Sequence, residues 1–512
     1  MIKKTTLYLV LCLLTFDGFA LQKPDVSKLD SLVLRELQAN NITASEVCND
    51  TIFIRRIMLD VVGRIPTPDQ TINFLTDKSP TKREKLIDQL LDSEEFVDFQ
   101  VLKWGDILRC KSEFPSNLWP NAVQGYARWM RENIRENKPY DEFVRTLLLS
   151  SGSNFKDPEV NFYRAFQTRN STQFAQNAAL LFMGIRPKTV IFQNRNSEIF
   201  APFFCQVKFK KSEEWKEEFV YVDKDIKPLI TSIEMPDGKT ITYQFGDDMR
   251  ILFADWLTDK SNPYFAKTMA NRIWFWLMGR GIVHEPDDMR PDNTPSNKAL
   301  LSYIESYFVQ SNFDTKAMFR LILNSKTYQR SSATNKTNKT DISLFSHYPL
   351  RRLTAEQLMD AINDITGKRD IYSSRVPEPY THLPNDTRAV QLEDGTISTP
   401  SLELFGRPSR DISYENDRNN NLNEKQLLFL LNSTAIQDKI YNSNRIKALI
   451  TNAKSTDELT TSIYLLVLNR YPSIYEKQIV SDYNLKKNQA KKTSAYDIVW
   501  ALINSPEFIF NH

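Results

Sequence analysis

The sequence predicts a mainly α-helical protein of many helices, with one small β-hairpin or sheet inserted near the middle. Three observations predict it. Apolar residues recur at helical spacing along most of the chain. Capping residues and glycine stops bracket those stretches. A single Pro236-Asp237-Gly238 turn sits between alternating flanks, which is a hairpin signal. With 41% hydrophobic and 12% aromatic residues, the 512-residue chain can fill an extensive core. Its length allows about two to four domains.

The first twenty residues have the three parts of a secretory leader. Lys3 and Lys4 form the charged start, Leu7 to Leu14 the apolar middle, and Gly18-Phe19-Ala20 the small-residue cleavage site. The apolar run is too short to span a bilayer. The expectation is an exported protein, periplasmic or extracellular, with residues 1–20 removed and no integral membrane span. Lys and Arg number 66 against 63 Asp and Glu, and the signs are interspersed. No basic stripe therefore argues for nucleic acid. Outside the leader stand Cys48, Cys110 and Cys205. An odd, widely spaced set is no disulfide framework, although one pair could form. The four histidines, His284, His347, His382 and His512, limit imidazole-based metal sites and triads.

The helices follow in order. Leu29, Leu32, Val33 and Leu37 make a first stripe; Phe53, Ile57, Met58 and Val61 make a second, closed by Gly63. Thr67 to Gln70 reads as a capping box with proline in the first turn, and Thr81 with Glu84 as another. Stripes through Phe96–Ile107, Val123–Ile134, Phe143–Leu148 and Phe174–Met183 complete an N-terminal helical domain, residues 21–199. Residues 200–246 hold the β insertion, and 247–512 a C-terminal helical domain. The densest stretch there is Asn262 to Arg290. Asn262 and Pro263 should start a helix, Phe265, Met269, Ile273, Trp276 and Leu277 should bury one face, and Gly279 should stop it. Lys267, Asn271 and Arg272 are its polar exceptions, placed to reach the rim or, for Asn271 and Arg272, a cleft. Residues 370–400 and 405–421 read as long polar loops, with helices at about 424–432, 457–468, 474–487 and 495–504.

Several segments carry a family resemblance. FIRRIMLDVVGRIPTPDQTINFL, KREKLIDQLLDSEEF and KWGDILR resemble the domain of unknown function 1549. The stretch NPYFAKTMANRIWFWLMGRGIVHEPDDMRPDNTPS resembles the domain of unknown function 1553, as do LILNSKTYQRSS, PLRRLTAEQLMDAI, ELFGRPSRD and WALINSPEFIFNH. The resemblance implies an exported, mainly helical protein of the planctomycete type, from a family often associated with cytochrome c-like domains. Its members usually carry Cys-x-x-Cys-His, the covalent haem attachment, just after a Leu-Gly step. Here that step is Met183-Gly184-Ile185, followed by RPKTVIFQNRNSEIFAPFF. A Cys-Glu-Cys run of relatives is Tyr414-Glu415-Asn416 here. No haem motif, and so no cofactor, is expected.

Two loops concentrate polar chemistry. His284, Glu285, Asp287 and Asp288 could hold a hard cation, or simply be solvated. Arg407, Arg410 and Arg418, with Asp411 and Glu415, could grip an anion bidentately, or pair internally to order the loop. The loop is expected to fold back on Asn271, Arg272 and the His284–Asp288 turn. Function then falls into three classes: a structural, interaction or ligand-binding module of the cell envelope; an enzyme acting on an extracellular polysaccharide, sulfated or not; or electron transfer by noncovalent haem. Partners consistent with these are other envelope proteins or an extracellular glycan. N-terminal sequencing of the exported product is expected to begin at Leu21; a product retaining Met1 would refute the leader.

Overall fold

A computed structural model describes residues 25–191, 193–227, 231–376, 379–487 and 491–512; the leader assignment lies outside them. Helices take up 52% of the structure and strands 5%, the latter in small sheets. The local reasons are those of the sequence. Asn49 caps the helix Asp50–Val62 by accepting from Ile52 N–H, and Gly63 ends it at φ 71°. The Thr67/Gln70 capping box is complete. Thr81, by contrast, makes no side-chain cap. Its hydroxyl meets Ser79 instead, so the second capping box is corrected. Within the β region, Val207–Lys211 and Gly152–Ser153 flank Glu218–Val222 in a three-stranded antiparallel sheet. The hairpin Ser232–Glu234 with Thr240–Thr242 turns at Pro236-Asp237-Gly238. The segment Ser197–Phe204, just before the strand Val207–Lys211, is a 3-10 helix.

The central helix runs Phe265–Met278, two residues later than its sequence suggests. Asn262 Oδ1 accepts from the N–H groups of Tyr264 and Phe265, so Asn262-Pro263 forms a turn that feeds the helix. Gly279 takes the left-handed conformation at φ 69° and ends it. Phe265 stacks on Tyr140 at 4.8 Å and meets Phe313 edge-on. Trp274, fully buried, packs against Phe345. Lys267 reaches the rim as snorkelling requires, its ammonium 3.8 Å from Glu305. Asn271 and Arg272 do not: both are wholly buried.

The hydrophobic interior has two main bodies. One gathers residues from Leu29 to Tyr348 around the central helix. The other gathers Leu353 to Ile509 and takes Leu59 and Ile65 from the N-terminal part. Two helices in its wall, Thr434–Tyr441 and Asn444–Asn452, are not among those the sequence predicts. Each is short and shows only two or one buried apolar residues, too few to make a period visible. Chain ends are tied in as well. Arg351–Arg352 pairs antiparallel with Phe510–Asn511, which brings the C-terminus against the helix Asp50–Val62.

Phe265→Ala removes a fully buried ring shared by Tyr140 and Phe313. A loss of about 3–5 kcal/mol is expected from urea unfolding, with far-UV circular dichroism unchanged in water.

Candidate functional site

The site begins on the helix Glu94–Ile107. Phe99, Leu102, Lys103 and Asp106 stand at i, i+3, i+4 and i+7, so they share one face. That face turns away from the main core and toward the second segment. Gly105 lets an arginine approach: a Cβ there would sit 3.1 Å from Arg410 Nη1.

Asp106 is bracketed by two arginines of the 405–418 loop. Arg410 Nε donates to Oδ1 at 2.9 Å and Arg418 Nη2 to Oδ2 at 2.7 Å. Arg418 also donates to Glu356 Oε2 at 2.5 Å, and Arg407 Nη1 lies 3.7 Å from the same carboxylate. Glu356 is completely buried. Burial pushes its carboxyl up, but Arg418 and Arg407 outweigh this and hold it down at about 2. Arg410, 1% exposed, spends its remaining donors on backbone carbonyls, Nη1 on Cys110 and Glu393 and Nη2 on Leu102 and Leu392. The loop arginines therefore form an internal ionic network.

Asp60 makes a second knot. Its carboxylate accepts from Tyr328 and Tyr348 hydroxyls at 2.9 and 2.7 Å, and from Arg351 Nη2 and Asn511 Nδ2, both at 2.8 Å. Arg272 makes a third. Nη2 donates to Asp287 Oδ1 at 3.0 Å, and Nη1 to the Leu181 carbonyl at 2.7 Å. Nε stands 3.0 Å from Glu415 Oε1, a charge contact whose angle is not that of a hydrogen bond. The Glu415 N–H donates to Asp287 Oδ2 at 2.7 Å, and Trp276 Nε1 lies 3.2 Å from both Glu415 oxygens. Burial pushes the Glu415 carboxyl up, against the pull of Arg272 and with Asp287 reinforcing it.

Between these knots lies a cavity of about 390 Å³, walled by Asp60, Lys103, Asp106, Trp276, Arg351, Tyr414, Glu415 and Arg418. Of the seven charged groups that line it, six belong to the networks or to backbone carbonyls. Lys103 makes no hydrogen bond or ion pair among the described residues. Its ammonium instead lies 4.5 Å from the Phe99 ring centre and 5.1 Å from that of Trp276. Burial pushes it down to about 7, with Asp60 pulling the other way.

The sequence candidates divide accordingly. Glu415 and Arg418 line the cavity, and Arg272 stands behind Glu415. Arg407 and Arg410 are buried in the network beside it. Asn271 clamps the loop by exchanging two hydrogen bonds with Val283. The four-residue cation candidate does not converge: Asp287 turns to Arg272, while Asp288 faces Arg186 and Arg290. His284 and Glu285 pair with each other at 3.4 Å outside the cavity. Among the described residues no three metal-binding side chains come together. Cys48, Cys110 and Cys205 are free thiols. Sequence reasoning missed Lys103, Asp106, Asp60 and Glu356. The stripe of Lys103 and Asp106 within KWGDILR was the available signal, but the arginines that pair with Asp106 lie 304 and 312 residues away.

This is a mainly helical protein whose two segments meet across a buried ionic seam around a polar cavity. Comparison with family models assigns the segments: residues 28–187 match PSCyt2, a protein of unknown function (DUF1549), and residues 249–484 match PSD1, a protein of unknown function (DUF1553). The chain thus combines the DUF1549 and DUF1553 domains. Neither curated proteins nor solved structures gave a match. Covalent haem does not fit this member. Gly184 ends its helix at φ 63° against Met289, no cysteine or histidine follows before Cys205, and Cys205 stands alone.

Arg410→Ala leaves Asp106 with one partner fewer in a buried site. A stability loss of about 3–5 kcal/mol is expected by chemical denaturation. A loss below about 1 kcal/mol would show that the network does not hold the loop.

Proposed function

We propose that this protein is an exported ligand-binding module of the cell envelope, which holds a small anionic molecule in the cavity beside Lys103. The observation that carries this reading is the lone ammonium. An ammonium that faces a cavity between two aromatic rings, with no carboxylate of its own, leaves its charge unmatched there, and its neighbours are already committed to one another. An incoming carboxylate, sulfate or phosphate would supply the missing charge and hydrogen bonds. Trp276 and Phe99 offer apolar walls for the rest of the molecule. The leader-like N-terminus supports an extracytoplasmic place of action, and no described helix is long and apolar enough to cross a membrane.

An enzymatic reading has one observation in its favour. Lys103 and Glu415 both flank Trp276, and both are shifted toward neutrality. Such a pair suits general acid–base chemistry near neutral pH. A noncovalent haem finds no imidazole, thioether or thiolate in the cavity lining.

Calorimetric titration with sulfate, simple carboxylates and sulfated or uronic monosaccharides is expected to find a binder that Lys103→Met abolishes. Binding should weaken as pH rises from 6 to 8.5, because Lys103 loses its proton through about 7 while Glu415 becomes more negative. Binding indifferent to Lys103→Met would place the ligand elsewhere.

A further inference from the structure

A second feature lies away from the cavity. Three aromatic residues from distant parts of the chain meet at the surface: Trp119 before the helix Pro120–Arg135, Trp215 in the turn between Val207–Lys211 and Glu218–Val222, and Tyr380 in the long 370–400 loop. Their ring centres are 4.8 Å apart for Trp119 and Trp215, 5.6 Å for Trp119 and Tyr380, and 5.8 Å for Trp215 and Tyr380. Burial does not account for the cluster, since Trp215 is 62% exposed. Nor does local backbone preference. Trp119 is held at φ 75° and ψ 145°, a conformation that a side-chain-bearing residue adopts only under constraint. Tyr380 is pinned there too, its carbonyl accepting from Gln124 Nε2 at 3.2 Å.

A groove of about 490 Å³ runs past Trp119 and Trp215. Four basic and four acidic side chains line it, so it has no net charge to select an ionic partner. Most of these charges are spoken for: Arg164 and Arg169 hold Glu218, Glu217 accepts from Ser153 and Ser212, and the Lys216 ammonium lies over one face of the Trp119 and Trp215 rings at 5.0 and 5.5 Å. The Glu213 and Glu214 carboxylates, by contrast, have no hydrogen bond or ion pair among the described residues. Both are exposed, and carboxylates only accept hydrogen bonds, so a partner that meets these two must bring donors.

We propose that the Trp119–Trp215–Tyr380 cluster and its groove are a binding platform for the pyranose rings of a neutral polysaccharide. A sugar ring presents an apolar C–H face, slightly positive, that suits the negative face of an indole or phenol ring. Its edge presents hydroxyl donors to Glu213, Glu214 and Asn117. A proline-rich peptide also seeks aromatic grooves, but it offers carbonyl acceptors, which the free carboxylates cannot satisfy. The platform is independent of the Lys103 cavity, which shares none of its lining residues.

The test is affinity electrophoresis of the whole mature chain through gels containing mixed-linkage β-glucan, xylan, galactomannan or glycol chitin, with a polymer-free gel as reference. At least one polymer is expected to retard the protein and to quench its tryptophan fluorescence. Trp215→Ala should weaken that binding by about tenfold or more, with an unchanged melting temperature because the ring is exposed. Tyr380→Ala should weaken it in the same direction, and Lys103→Met should leave it intact. The proposal is overturned by unretarded migration in all four gels. It also fails if Trp215→Ala and the parent protein are retarded equally, or if a polyproline peptide alone quenches the fluorescence.

Discussion

Buried charge across the seam between the two segments is the constraint on which the rest of the structure depends. Asp60 and Asp106 come from the DUF1549 part; Arg351, Arg410 and Arg418 come from the DUF1553 part. Neither set is viable alone. A buried carboxylate or guanidinium without its partner carries a desolvation cost of several kcal/mol. The two segments are therefore obliged to fold onto each other in one register. Arg55 and Arg56 repeat the logic, donating to Asn469 and to the carbonyls of Tyr328, Val467, Phe508 and His512.

A seam made of ion pairs cannot close as tightly as one made of leucines. Guanidinium–carboxylate geometry is fixed and planar, and side chains must stand off to meet at hydrogen-bond distance. The cavity is what that geometry leaves. Its walls are rigid because their charges are cross-linked through Asp60, Asp106, Glu356 and Arg272. A pre-formed polar space lowers the ordering cost of any ligand that enters it. Lys103 is conspicuous there because rigid neighbours cannot swing over to neutralise it.

The same stand-off explains which sequence candidates ended where. The loop 405–418 was legible as arginine-rich, and its two possible roles, grip or internal network, were both open. Arg407, Arg410 and Arg418 pair with acids at positions 106 and 356, which no local spacing reveals. Glu415 does reach Arg272 and Asp287, so part of the loop folds back on the central helix as expected. Asn271 and the His284–Glu285 turn serve backbone and each other rather than the cavity.

The sequence by itself determined the helical architecture, the stops at Gly63 and Gly279, and the hairpin at Pro236-Asp237-Gly238. These rest on periodicity and on backbone preferences that act within a few residues. It also carried the family, because the matching segments are contiguous. The short helices at 434–441 and 444–452 escaped it, since their order comes from packing onto the second core rather than from a period of their own. The cavity and the aromatic cluster escaped it for a related reason. Their members are far apart in the chain and are brought together by the seam and by the long loop. Only the tertiary structure could decide that Lys103 stands without a partner while every arginine near it has one, because pairing is a property of the assembled charges and not of any one of them.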